Sequence, residues 1–371
     1  MAAGFTEHAS WRGTFWLISP VALIIALALY FALPAQTIPK AGFFATVKNI
    51  DWVGIMLSVS STLLLLIPVS GIGSQFAAAS PMIISMLTLG GICAVLFMFN
   101  EWRWAKLPMI PLRLFKNIAL AAMIVQNFLI GIVFYSMLYF LPIYFQAVKR
   151  HSLIASAALV LPVVVAQSIA SILSGQYISR LKRYGEVLWV GYICWTIGAG
   201  LSCMLSINTS PVAIAFILAV EGFGVGLTFQ PTLVAAQAHS PKQDRAVVIS
   251  VRNWIRAYGG AVGLAVASVL FSNIVKSRLP STLPVSAVQS IDSAIFSSPR
   301  LDGLSDADKD AILRAYMDAF RSVDRGLARK SGEGATAGGP PGTRSTELAD
   351  DGGEKMDTLI GIGPVVTDSA V

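Results

Sequence analysis

Apolar residues occupy this chain in long unbroken blocks separated by short polar connectors. Eight blocks are about as long as a membrane-crossing helix, at approximately 15–33, 52–71, 82–99, 118–141, 155–178, 187–206, 212–236 and 246–271. A helix rising 1.5 Å per residue needs roughly 20 apolar residues to cross a ~30 Å hydrocarbon layer. Barrel strands would be about half as long and would alternate apolar with polar positions, and these blocks do not alternate. The pattern therefore predicts an all-α polytopic membrane helical bundle, with eight transmembrane helices within residues 15–275. Residues 1–14 read as an extracytoplasmic segment. The first block is long for a signal-peptide core and only Arg12 stands before it as a basic residue, so it reads as a span.

The pattern changes after residue 275. Residues 276–330 form a polar tail with one amphipathic helix over 304–330. Ser305 is its predicted N-cap, Asp306 and Asp308 sit in its first turn, and Ile312, Ala315, Tyr316, Ala319, Phe320 and Val323 make an apolar stripe. From 331 to 371, Gly, Pro, Ser, Thr and acidic residues dominate, a composition that predicts disorder.

Composition agrees with the block pattern. Of 371 residues, 55% are hydrophobic and only 13% charged, and mean hydropathy is +0.69. Soluble domains are about 25% charged, so a soluble enzyme, a secreted disulfide scaffold and a disordered regulator are all excluded as readings. Residues 1–275 carry 16 Lys/Arg and 6 Asp/Glu, while 276–371 carry 11 and 14. The basic residues stand singly between apolar runs, unlike the clustered patch that nucleic acid requires. Cys93, Cys194 and Cys203 lie inside apolar runs and read as small buried hydrophobes. His8, His151 and His239 have no ligand spacing, and no metal or cofactor motif is present. The glycines at 222, 224 and 226 lack the surrounding βαβ unit of a dinucleotide loop; with Gly259 and Gly263 they predict close helix approach.

Lys and Arg fall unevenly between alternate connectors. The set 34–51, 100–117, 179–186 and 237–245 holds eleven, and the set 1–14, 72–81, 142–154 and 207–211 holds three. The positive-inside rule places the first set in the cytoplasm. The N-terminus and the long polar tail then both fall outside it.

Several stretches carry a resemblance. Thr6-Glu7-His8-Ala9-Ser10-Trp11-Arg12 with Phe15-Trp16-Leu17-Ile18 and Pro20, then Asp51-Trp52-Val53-Gly54, Pro108-Met109-Ile110-Pro111-Leu112-Arg113-Leu114-Phe115 and Leu141-Pro142-Ile143-Tyr144-Phe145-Gln146 appear in order. They are followed by Gln237, Asp244-Arg245-Ala246, Arg252-Asn253-Trp254-Ile255-Arg256 and Gly259-Gly260-Ala261-Val262-Gly263. Together they resemble spans six to thirteen of the fourteen-span drug:proton antiporters of the major facilitator superfamily, fungal multidrug and toxin efflux type. The resemblance covers about residues 4–275. It implies a partial major facilitator fold and an alternating-access exporter of small amphipathic drugs or toxins, driven by protons. It implies no enzyme activity, no cofactor, a lipid bilayer as surroundings, and a plasma-membrane rather than vacuolar location. The family's first five spans and its fourteenth have no counterpart here. That predicts a truncated or mis-spliced reading frame that does not transport as written. A non-transporting fragment that associates with or modulates a full-length transporter, and a siderophore or amino-acid carrier, are the competing readings.

Ionisable groups within the spans cost roughly 2.5–3.5 kcal/mol each, so each calls for a reason. Glu221 lies ~14 Å into the seventh block and Arg256 ~15 Å into the antiparallel eighth, both near the midplane by helical rise. A neighbouring pair of this kind suits a proton-coupled site, because protonating the carboxylate changes its attraction to arginine. The pair also reads as mutual neutralisation that permits insertion. Arg252, one turn nearer the cytoplasm, reads either as a site residue or as a snorkelling side chain. Gln126, Asn127, Tyr135, Gln167, Gln230 and Asn253, with Phe134, Tyr139, Phe223 and Phe229, predict an apolar cavity with a few orienting polar groups. Interhelical hydrogen bonding explains any one of the polar groups equally well. Pro68, Pro162 and Pro231 predict kinks.

Overall fold

The computed structural model describes residues 10, 12–32, 51–71, 80–104, 117–241, 244–280 and 305–337, with single positions at 4, 6, 115, 283, 288 and 291. Its long helices are α1 (Arg12–Ala32), α2 (Trp52–Gly71), α3 (Pro81–Arg103), α4 (Ile118–Ile143), α5 (Leu153–Leu181), α6 (Gly185–Ser202), α7 (Pro211–Ala238), α8 (Arg245–Arg278) and α9 (Asp306–Ala337). A π-helical turn, Tyr144–Val148, continues α4 just beyond Pro142. No strand occurs among the described residues.

Helices α1 to α8 coincide with the eight apolar blocks. Six of them, α1, α3, α4 with its π turn, α5, α7 and α8, are long and apolar enough to cross a membrane. In α2 the described side chains, Trp52–Pro68, form an apolar stretch, and α6 has 18 residues diluted by Glu186, Trp189, Tyr192, Trp195 and several glycines. Large apolar side chains stand exposed around the bundle, among them Ile172, Val212, Phe216 and Val95. Such a surface suits lipid and not water.

Helix starts follow short polar side chains that accept otherwise unpaired backbone N–H groups. Ser80 caps α3 ahead of Pro81, Asn117 caps α4, Ser152 caps α5, and Ser210 caps α7 ahead of Pro211. Asp51 Oδ1 accepts from Gly54 N at 2.9 Å to start α2, and its Oδ2 accepts from Asn100 Nδ2 at 2.6 Å, tying α2 to α3. Pro68, Pro162 and Pro231 lie inside α2, α5 and α7, which run through them without a break.

The main body pairs α7 with both α5 and α6, and pairs α8 with α4; α2 and α3 form a hairpin that touches α8 through α2. Close approach depends on glycine. A Cβ at Gly131 would collide with the Arg256 carbonyl where α4 crosses α8. On α6, a Cβ at Gly198 would lie 2.6 Å from Glu221 Cα. The predicted small-residue crossings at Gly222, Gly224, Gly226, Gly259 and Gly263 all press against a neighbouring helix. Helix α1 stands apart, with none of its residues buried.

Helix α9 departs from the sequence expectation. It continues to Ala337 instead of ending at Lys330, and it does not lie outside the bundle. Ser305 caps it as expected, accepting from Asp308 N at 3.2 Å. Its stripe is buried: Ile312, Tyr316, Ala319, Phe320 and Val323 join the main core together with α4, α6 and α8, and Ala315 is buried beside them. Phe320 stacks on Tyr144 at 4.7 Å between ring centroids, and Tyr316 meets Phe271 edge-on at 5.8 Å. The physical reason is that a helix with one apolar face gains by burying it, and the bundle offers an apolar surface along its full length. The 203–210 connector is pinned from three sides. Tyr144 OH donates to Ser206 O at 2.9 Å, Lys149 Nζ donates to Ile207 O at 2.7 Å, and Arg321 Nε donates to Leu205 O at 3.1 Å. The connectors bearing Lys40, Lys48, Lys106, Arg113, Lys116 and Lys242, the 108–114 stretch, most of 1–14, and residues 338–371 lie outside the described residues.

Candidate functional site

Helix α8 places Arg252, Asn253 and Arg256 within about one turn of each other. Arg252 is 5% exposed. Its Nη2 donates to Thr232 Oγ1 at 2.6 Å and to Phe229 O at 2.7 Å, both on α7, and Nη1 donates to Asn253 Oδ1 at 3.1 Å. Thr228 and Thr232 each back-bond to the preceding turn of α7, next to Pro231, which removes one backbone donor. The orphaned carbonyl is that of Leu227, while the Phe229 carbonyl accepts from Thr232 Oγ1 at 3.0 Å as well as from the guanidinium. Arg252 therefore does not snorkel: it is held inside the bundle by three hydrogen bonds.

Arg256, one turn further on, is half-buried. Its Cζ lies 4.7 Å above the Phe229 ring, and its Nη2 reaches Asn253 Oδ1 at 3.5 Å. The ring's negative face partly compensates the cation. Phe229 is fixed in turn by Phe134 at 4.9 Å, which contacts Tyr135 at 5.4 Å. Neither arginine forms an ion pair among the described residues, and the Nε of each has no acceptor.

Across from this helix, α4 contributes Gln126 and Asn127, both buried. Asn127 Nδ2 donates to Met123 O at 2.8 Å, while Asn127 Oδ1 and Gln126 Nε2 are unpartnered. Tyr192 of α6 lies beside Gln126 and within the field of Arg252. Asn127 and Arg252 share a small void between α4, α7 and α8, otherwise lined by Leu120, Met123, Ile124, Ala236, Val248 and Val251. The void has room for about one water. The predicted residues include a face with exposed Tyr135, Asn253 and Gln230 beside half-buried Arg256, Phe134 and Phe229. Gln167 sits half-buried at the α5–α7 crossing, where its carbonyl lies against Gly226.

The expected pairing of Glu221 with Arg256 does not occur. Glu221 is 3% exposed and accepts from Ser202 Oγ of α6 at 2.9 Å through Oε2. It lines a second small void with Asp324 of α9. The reason is topological: α7 and α8 are consecutive but touch only slightly, because α8 packs on α4 and α7 packs on α5 and α6. Depth along a helix does not determine which neighbour a side chain faces.

Sequence reading missed Thr232, Tyr192, Ser202 and Asp324. For Asp324 a signal existed: it follows Phe320 by four residues and precedes Leu327 by three, so it continues the buried stripe of α9. Ser202 and Thr232 carried none, since isolated hydroxyls are common inside apolar helices. At the end of α5, Tyr177 OH donates to Glu186, which also pairs with Arg183 at 3.1 Å. This cluster closes the short basic connector, and Lys182 there adopts φ 57° to end the helix.

The model of the Major Facilitator Superfamily matches residues 1–264. The chain belongs to the Major Facilitator Superfamily. This is a family of membrane transporters, not enzymes. Among its relatives, "Citrate exporter 1" of Yarrowia lipolytica is 41% identical over 324 residues, covering 87% of this chain and 48% of that protein. "MFS-type transporter clz4" of Cochliobolus lunatus is 35% identical, over 87% of this chain and 57% of that protein. "Efflux pump dotC" of Dothistroma septosporum is 28% identical, over 86% of this chain and 56% of that protein. This superfamily member therefore spans about half the length of the curated relatives it matches. Among solved structures, a bacterial homolog to the human lysosomal transporter Spinster is 14% identical with a TM-score of 0.49, covering 79% of this chain and 63% of its own.

Proposed function

We propose that the chain is part of an exporter of small amphipathic organic anions. In this reading Arg252 and Arg256 hold the cargo's carboxylate, and Phe134, Tyr135 and Phe229 supply its apolar wall. One observation carries the reading: two guanidiniums one turn apart inside the bundle, with no acidic partner among the described residues. An unneutralised cation in hydrocarbon costs several kcal/mol, and an anionic ligand would offset that. The relative named as a citrate exporter supports an anionic cargo, and the relative named as an efflux pump supports outward movement. Proton entry drives export in this proposal, with Glu221 as the carrier, and the plasma membrane is the site of action.

A second reading is favoured by α1, none of whose residues is buried. Here the chain associates with further membrane helices, such as those of a full-length relative, and modulates them without transporting.

Binding tests the anion proposal directly. The detergent-purified chain is titrated with citrate, with a fatty-acid anion and with a neutral amphipathic dye. Hydrogen bonds to charged groups are worth about 1.5–3 kcal/mol, so Arg252→Met should weaken anion binding roughly 10–100-fold and leave the dye unaffected. Equal affinity for the anions and the dye, or unchanged anion binding by Arg252→Met, would refute it.

A further inference from the structure

Nearer the start of α7 than the arginine contacts lies a second void, lined by Val133 of α4, Ser202 of α6, Glu221 of α7, and Phe320, Asp324 and Leu327 of α9, among others. It has room for about one water-sized species. Two of its lining groups are carboxyls: Glu221 is 3% exposed and Asp324 is 8% exposed. Neither makes an ion pair among the described residues. Ser202 Oγ donates to Glu221 Oε2, and the indole N–H of Trp195 lies near Glu221 without completing a hydrogen bond. Asp324 Oδ2 is buried and has no partner at all.

We infer that Glu221 and Asp324 form one proton-sharing site, in which a proton taken from water is held between the two carboxyl groups. This deepens the reading of Glu221 as proton carrier and rests on it, but it does not depend on the anionic cargo. The argument is one of unmet valence. A buried carboxylate needs donors, and among the described residues lining the void the one hydroxyl, that of Ser202, serves Glu221. A carboxylic O–H between them gives Asp324 Oδ2 the partner it lacks and removes one of two like charges. The other titratable and charged groups near the pair do not replace that proton. Cys203 of α6 is half-buried and donates to Ala199 O at 3.4 Å. Arg325 is exposed. Arg321 is committed to Leu205 O. Tyr144 of α4 is committed to Ser206 O. The site is built only when α9 is docked, so the tail helix supplies half of it.

The test is infrared difference spectroscopy of the full chain in nanodiscs, following the carbonyl stretch of protonated carboxyl groups as pH rises, with Glu221→Gln/Asp324→Asn as the blank. Coupled sites lose their protons in two macroscopic steps. The wild-type chain should show two steps separated by at least about one pH unit. Glu221→Gln and Asp324→Asn should each show a single step lying between them. Both substitutions are nearly isosteric, and unchanged circular dichroism confirms that each variant is folded. If Asp324→Asn leaves the Glu221 step where it was in the wild type, the shared site is refuted while Glu221 remains a lone carrier. If no step distinguishes the wild type from the blank, the carrier reading falls with it. Replacing choline by sodium should move neither step; displacement by sodium would make the occupant a metal cation and overturn the proposal.

Discussion

Two regions of opposite character lie about three turns apart along helix α7. In its C-terminal half it offers Phe229 and Thr232 to a pair of arginines of α8; about three turns earlier it offers Glu221 to Ser202 of α6 and to a void shared with Asp324. One face is positive, partly open and edged with aromatic rings. The other is acidic and buried. Glu221 and Thr232 are eleven residues apart on one helix, ~16 Å by helical rise. Insertion into lipid alone would favour bringing opposite charges together. The fold keeps them apart, each set short of partners, and that is the pattern expected when the missing partners are a cargo and a proton.

The largest expected effect comes from breaking the positive side alone. Gly131→Val would place a side chain against the Arg256 carbonyl and push α8 away from α4. Overpacking of this kind should cost about 3 kcal/mol in detergent unfolding and abolish anion binding. Gly200 faces open space, so Gly200→Ala should change stability by less than about 0.5 kcal/mol.

A smaller effect sharpens the contrast. Thr232→Val keeps the shape of the side chain and removes one of the acceptors of Arg252 Nη2. Leaving a buried charged donor short of a partner should destabilise by about 1–3 kcal/mol, read by thermal unfolding. The two-step carboxyl titration should stay unchanged, because the acidic void lies about three turns away along α7. Smaller again, Phe229→Leu removes the ring beneath Arg256. The loss should be about 0.5–1 kcal/mol of stability, measured the same way.

The smallest effect concerns only the start of α9. Lys309 Nζ donates to Asp306 Oδ1 at 2.9 Å, and this hydrogen bond and charge hold the Asp306 carboxyl below its ordinary value of 3.8. A carboxyl depressed in the folded state stabilises it above the ordinary value, and that contribution is lost as pH falls through the lowered value. Amide exchange in the first turn of α9 should therefore speed up only below pH 3.8, while α4 to α8 keep their protection.

What the sequence made legible was length and depth. The block 52–71 coincides with α2, and 118 starts both the fourth block and α4. Blocks read too short where polar residues continue the helix past the apolar stretch, as Lys276 and Arg278 do in α8. Azimuth and neighbourhood were not legible. Glu221 and Arg256 were correctly expected within helices, yet their pairing depended on α7 and α8 packing together, and the Gly131 and Gly259 crossing commits α8 to α4 instead. The role of α9 was hidden for a related reason. Its stripe was visible, but nothing local to it indicates that its receiving surface is formed by Tyr144, Phe271 and Leu205 from three distant segments.

The separation of charges along α7 is the claim on which both proposals rest, and a double-mutant cycle tests it most directly. Glu221→Gln, Arg256→Gln and the combination are compared by equilibrium unfolding in one detergent. The account predicts that the two effects add to within about 0.5 kcal/mol, as for residues that share no partner. A coupling energy above about 1 kcal/mol would mean that the two charges neutralise each other, and would contradict it.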